Sequence, residues 1–106
     1  MKKVLIFCAA GMSSSLIAQQ TTEYFAANGI GIEVEATHAS RGPSTIRKDK
    51  FDMYLCSPQT KMYYRTLKEA AAKKGKLVEN IPLQAYIPMP QGIEQLAKLV
   101  TDTLGK

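Results

Sequence analysis

The stretch that most limits the fold is KVLIFC, residues 3–8, which AAGMSSSL follows at once. After Lys3 the run carries Val4, Leu5, Ile6, Phe7 and Cys8 with no polar interruption. A strand with one wet face alternates apolar and polar residues. One that does not alternate is buried on both faces, as in a parallel sheet covered by helices. The remaining patterns agree with that. IEVEAT (32–37) alternates as a strand, and FDMYLCS (51–57) and KLVENI (76–81) read as the third and fourth strands.

Helical patterns separate these strands. Ser13, Ser14 and Ser15 offer N-cap chemistry for a helix running to about Asn28, with Ile17, Tyr24 and Phe25 on one face and Gly29 as its stop. In SRGPSTIRKD the Gly42-Pro43 pair interrupts regular structure, so a loop or short helix is expected. A helix from Thr60 to Lys74 carries Tyr63, Leu67, Ala70 and Ala71 at helical spacing and ends at Gly75. PLQAYIPMPQG is loop, and a last helix over 92–104 shows the stripe Ile93, Leu96, Ala97, Val100 and Leu104. The order β-α-β-(α)-β-α-β-α predicts an α/β fold, a four-stranded parallel sheet with right-handed crossovers and helices on both faces. Ligands of such sheets bind beyond the carboxyl ends of the strands, where the strand order switches. Cys8 and CSPQ (56–59) each occupy such an end.

The 106 residues, 45% hydrophobic and 22% charged, suit one globular domain spanning 1–106. A net charge of +5 and a pI near 9.3 favour an anionic partner. The basic residues are scattered without interleaved aromatics, so nucleic acid is not the expected one. Two distant cysteines make neither a disulfide framework nor a zinc site. MKKVLIFCAAGM runs directly into an amphipathic helix pattern, unlike a signal peptide, and no segment approaches the ~20 apolar residues of a membrane span. A soluble, cytoplasmic protein is expected.

FCAAGMSSSL (7–16) is the segment with chemistry in it. Backbone N–H groups of a tight loop that runs into a helix N-terminus form an anion cradle. Ala9, Ala10, Gly11 and Ser13 are small enough to wrap an oxyanion, Gly11 permits positive φ in the turn, and Ser13, Ser14 and Ser15 add hydroxyl donors. Such positive surroundings favour the thiolate form of a cysteine, the nucleophile. Cys8 is thus placed to attack phosphorus and hold a phosphoryl group; the alternative is a small buried residue that simply ends a strand. No GxxxxGK[ST] or GxGxxG motif is present, so nucleotide binding has no support. The single histidine, His38, excludes most multi-histidine metal sites, and no metal or other cofactor is expected. A Cys8–His38 dyad stays open beside a satisfied or solvated His38.

CAAGMSSSL (8–16) resembles the CxxGMSTSL loop of the IIB components of the phosphoenolpyruvate-dependent sugar phosphotransferase system, lactose/cellobiose type. DMYLCSPQTKMYY (52–64) is similar to that family's third strand and following Gly-Pro-Gln segment, and Tyr86 matches its late loop tyrosine. The resemblance implies a phosphocarrier. Cys8 accepts a phosphoryl group from a phosphohistidine of the IIA partner and passes it to a sugar bound by the membrane IIC partner. Residues Ala9, Ala10, Gly11, Met12, Ser13, Ser14 and Ser15 hold the phosphate, and Pro58 and Gln59 wall the site. A β-linked disaccharide such as cellobiose and a monomeric free chain are expected, associated with the membrane only through IIC. Ser57 replaces the usual glycine, Met62 falls where a tyrosine is usual with Tyr63 next to it, and Gln91 replaces an acidic residue. These departures bear on partner recognition and sugar subclass.

Two other readings compete. A low-molecular-weight tyrosine phosphatase uses CxxxxxR, but six residues on from Cys8 stands Ser14, so the bidentate phosphate clamp is missing. A thiol-based regulatory domain would need Cys8 and Cys56 to approach, which neighbouring first and third strands would favour. The tyrosines Tyr54, Tyr63, Tyr64 and Tyr86 either form a docking face or pack the interior.

Overall fold

The computed structural model of the protein describes residues 2–8, 11–85 and 89–104, without the side chains of residues 11–14, 43, 59 and 83. Strand β1 (Lys2–Cys8) leads to α1 (Gly11–Ala27), and β2 (Ile32–His38) to a single 3₁₀ turn and the short α2 (Gly42–Arg47). Strand β3 (Met53–Cys56) then leads through a 3₁₀ segment to α3 (Tyr64–Ala72), and β4 (Leu77–Asn80) through another 3₁₀ turn to α4 (Pro90–Leu104).

All strand pairings are parallel, in the order β2-β1-β3-β4. β1 is internal, and Val4, Ile6 and Phe7 are fully buried, as an uninterrupted apolar run requires. Its side chains divide between two cores. Val4 and Ile6 pack with Val34, Met53 and Leu55 against Ile17 and Phe25 of α1 and Leu96 and Val100 of α4. Leu5 and Phe7 pack with Tyr54 and Cys56 against Ile46 of α2 and Leu67 and Ala71 of α3. Two helices therefore cover each face, as expected.

The glycine stops are real. Gly29 and Gly75 have φ of 70° and 69°. Ile30 N–H bonds Phe25 O at 2.8 Å and Gly29 N–H bonds Ala26 O at 3.2 Å; Lys76 to Ala71 and Gly75 to Ala72 repeat the pattern. This paired closure of the last carbonyls needs a left-handed residue, which glycine adopts without a Cβ penalty.

Several boundaries differ from the sequence expectation. Helix α1 begins at Gly11, not after the serines, because only two residues separate it from β1. Ser13–Ser15 therefore lie in its first turns, and Gly11 is a helical residue, not a turn residue ahead of the helix. Of the loop or short helix expected around Gly42-Pro43, the short helix forms: the pair opens α2, since proline in a first turn removes a donor that has no partner there anyway. The helix expected from Thr60 is a 3₁₀ segment over 58–63 with Thr60 at φ −115°, ψ 25°, and only from Tyr64 is it α.

Candidate functional site

The strand order turns between β1 and β3: the chain leaves β1 for one edge through α1 and returns across β1 through α2 to start the other half. Helices α1 and α2 thus lie on opposite faces, and the carboxyl ends of β1 and β3 are the switch point at which sheets of this kind bind ligands. Cys8 is the last residue of β1 and stands there. Gly11 opens α1 three residues later, so the N–H groups of the first helical turn, which a helix leaves without an intrahelical acceptor, face the same end. Sequence and structure agree on this juxtaposition.

Cys8 is 1% exposed, and its thiol donates to the carbonyl of Thr37 at 3.3 Å. Its sulfur is thereby tied to the end of β2. Thr37 was not foreseen, because strand register, not sequence spacing, sets its place. His38 ends β2 and pairs in register with Cys8. It is exposed, and its Nδ1 accepts the Ser40 backbone N–H at 3.1 Å with Ser40 Oγ at 2.9 Å. The histidine is thus satisfied by Ser40, and strand register sets it beside Cys8.

Ser57 and Thr60 form the other wall. Ser57 N–H donates to Phe7 O at 3.0 Å, so the segment after β3 is fastened to β1 beside Cys8. The Thr60 hydroxyl is fully buried within reach of Phe7 O (3.3 Å), Ser57 O (3.1 Å) and Ser57 Oγ (3.1 Å). Cys56 Sγ donates to Thr60 O at 3.0 Å. This knot holds Pro58, half-buried, and the backbone of Gln59 at the carboxyl end of β3. The Gln59 side chain lies outside the described residues, as do Ala9, Ala10 and Tyr86 and the side chains of Met12, Ser13 and Ser14; Ser15 is exposed on α1. Thr60 gave no sequence signal beyond a threonine near a strand end.

The two cysteines do not face one another. Phe7 pairs with Cys56, and Cys56 packs with Phe7 and Tyr54 on the α2/α3 side, whereas alternation puts Cys8 with Val4 and Ile6 on the α1/α4 side. Side chains pointing to opposite faces cannot be bridged without moving the backbone, which removes the geometric basis for a Cys8–Cys56 disulfide. Burial pushes the Cys56 thiol up, with the Thr60 bond partly opposing, as for a packing residue. Tyr54 is no docking residue: it is fully buried and stacks on Phe7 at 5.7 Å. Tyr64 is half-buried under Lys68, and Tyr63 is partly exposed. Of the exposed apolar side chains, Leu16, Met62, Tyr63 and Met89 lie on segments at the Cys8 end of the sheet, while Leu77 opens β4 at the opposite end. Among the described residues no three His, Cys, Asp or Glu side chains converge as a metal site.

Residues 3–98 match the family model of the phosphotransferase system lactose/cellobiose-specific IIB subunit. The chain belongs to this family. It is thus a sugar-specific IIB component of a phosphotransferase system. A curated relative, the oligo-beta-mannoside-specific EIIB component of Bacillus subtilis, is 34% identical over 86 residues, 81% of this chain and 82% of that protein. The solution structure of a cellobiose-specific IIB component from Borrelia burgdorferi is 27% identical, with a TM-score of 0.73 over 98% of this IIB chain and 92% of that one. The lactose-specific IIB domain from Streptococcus pneumoniae shares the fold, with a TM-score of 0.82 over 96% of both chains at 20% identity. Among the described residues of this IIB chain no helix is long and apolar enough to cross a membrane.

Proposed function

We propose that this IIB chain, acting as one domain over 1–106, is a cytoplasmic phosphocarrier with Cys8 as its covalent intermediate. The observation that carries the reading is Cys8 at the β1/β3 switch with the first turn of α1 three residues away. The Cys8 sulfur gives up its bond to Thr37 and attacks the phosphorus of a phosphohistidine on IIA. An S–P bond forms, the N–P bond breaks, and the thiol proton ends on the departing imidazole. In the second step a sugar hydroxyl held by membrane-embedded IIC attacks the same phosphorus. The S–P bond breaks, an O–P bond forms, and the hydroxyl proton returns to the thiol.

The phosphoryl oxygens need donors set in advance more than they need a general base. In this reading the backbone N–H groups at the start of α1 supply them, with Ser13, Ser14 and Ser15 adding hydroxyls and Ala9 and Ala10 contributing as small residues. Pro58 and Gln59 line the β3 side. The apolar rim of Leu16, Met62, Tyr63 and Met89 is the docking face for the two partners. A β-linked disaccharide such as cellobiose is the proposed sugar. The oligo-beta-mannoside and cellobiose specificities in the names of two relatives support that class.

Intact-mass analysis after incubation with a phosphoenolpyruvate-driven mixture containing IIA tests the reading. Wild type is expected to gain one phosphoryl group, mapped to Cys8, and Cys8→Ser none. Cys8-dependent release of phosphate from an aryl phosphate, without an adduct, would transfer the protein to the phosphatase reading.

A further inference from the structure

We infer that His38 is a phosphoryl-contact residue, its Nε2–H donating to the phosphoryl group on Cys8; the inference rests on the phosphocarrier reading. Three observations converge on it. First, β1 and β2 run in register over their whole length, Val4 beside Val34, Ile6 beside Ala36 and Cys8 beside His38. Paired residues of adjacent parallel strands project to the same face, and the strands lie about 4.8 Å apart. Val4, Val34 and Ile6 enter the α1/α4 core and Ala36 packs against it, so Cys8 and His38 follow on that side at the strand ends.

Second, the sulfur lies within hydrogen-bonding reach of β2: it donates to Thr37 O, in the peptide group immediately before His38. A phosphoryl group on that sulfur grows outward from beside His38. Third, the imidazole is already oriented. Its Nδ1 accepts the Ser40 N–H at 3.1 Å, which is the cap of the 3₁₀ turn after β2. An Nδ1 that accepts leaves the proton on Nε2, so the exposed outer nitrogen is a donor and not an acceptor. A fixed neutral donor suits a carrier. It adds a hydrogen bond to the anion without a second nucleophile or a metal.

The hydrogen bond exists only in the phosphorylated state, so it raises the equilibrium constant for transfer from phospho-IIA to Cys8. Three variants separate donor from scaffold. His38→Asn keeps an acceptor close enough for the Ser40 N–H but loses the outer donor. His38→Gln carries an N–H out to about the Nε2 position, and His38→Phe keeps only the ring. The phosphorylated fraction of Cys8 is read by intact mass against known ratios of phospho-IIA to IIA. The equilibrium constant is expected to fall about tenfold in His38→Asn and His38→Phe and to recover substantially in His38→Gln. In wild type, the imidazole ¹⁵N spectrum should show Nε2 protonated and its proton shifted on phosphorylation. If wild type accepts phosphate but His38→Asn matches it, or the Nε2 proton does not move, the inference alone fails. If wild type accepts none, the phosphocarrier reading fails and takes the inference with it.

Discussion

Thr60 has one hydroxyl proton and three oxygens within reach, all inside the protein, and it ties the end of β3 to Phe7, the residue before Cys8. Replacing it with valine keeps the volume but strips the partners of a buried polar group. Thr60→Val should lower unfolding free energy by about 1–3 kcal/mol in urea titrations and slow Cys8 phosphorylation more than an equally destabilising core change elsewhere. Tyr54 is the reverse case. Its buried hydroxyl lies near the Phe51 backbone yet meets no partner among the described residues at hydrogen-bonding geometry. Burial, then the Asp49 and Asp52 carboxylates, raise its pKa, and burial raises that of Cys56 from an ordinary value of 9.0. Both groups are held neutral by the fold, so their contribution is fully present below their unfolded values and is lost as pH rises through the folded ones. Wild-type stability should therefore fall as pH climbs past about 9. In a Tyr54→Phe, Cys56→Ala variant that alkaline slope should shrink by up to about 1.4 kcal/mol per pH unit for each group. An unchanged slope in paired urea titrations at pH 8 and above would refute this.

At the level of elements, β2 is an edge strand and α1 closes that edge with one side chain. The Thr22 hydroxyl receives Val34 N–H at 2.8 Å and lies 3.1 Å from Val34 O and 2.9 Å from Ala18 O, so it occupies backbone groups that β1 does not pair. An open edge strand invites fraying and foreign pairing. Thr22→Val should cost about 1–3 kcal/mol and speed hydrogen exchange at the Val34 amide. If Val34 protection is unchanged, the hydroxyl is not what holds the edge. Elements of this size were the legible part of the sequence. The unbroken run at Val4–Phe7, the glycine stops and the stripe from Ile93 to Val100 each rest on short-range rules, and each is where those rules put it. Cys8 was legible for the same reason, since its loop is contiguous. Strand register brings Thr37 and His38 beside Cys8, and a 3₁₀ turn bent at Thr60 brings the Thr60 hydroxyl to Phe7 O, relations across 29 to 53 residues that no local pattern encodes. The start of α1 was missed because serine favours the cap intrinsically, while a two-residue connection forces the helix to begin sooner.

A parallel sheet gives the whole molecule two unlike ends. Strand carboxyl ends and helix amino ends gather around Cys8; strand amino ends and helix carboxyl ends gather at the other pole. The basic residues Lys2, Arg47, Lys48, Lys50, Lys73 and Lys74 belong to that second pole, and Arg47, Lys73 and Lys74 line a groove of about 470 Å³ there. Cations beside helix carboxyl termini are stabilised by the backbone dipoles, so this charge has a local reason and needs no partner. Met62, 79% exposed, and Met89, 59% exposed, sit at the Cys8 pole, where nothing in the described chain covers them. On the proposed phosphocarrier reading, a partner that delivers a phosphoryl group to Cys8 approaches that rim and leaves the basic pole in water. Met62→Glu should therefore raise the apparent KM for phospho-IIA by about tenfold, as expected for a charge forced into an apolar contact, with urea stability unchanged because the side chain is already in solvent. Lys73→Glu with Lys74→Glu, reversing two charges at the far pole, should change that KM by less than about twofold at 0.15 M salt, where screening acts within about 8 Å. The opposite ranking, a strong effect of the lysine pair and none of Met62, would mean that IIA is recruited by the basic pole. The apolar rim would then have no part in docking.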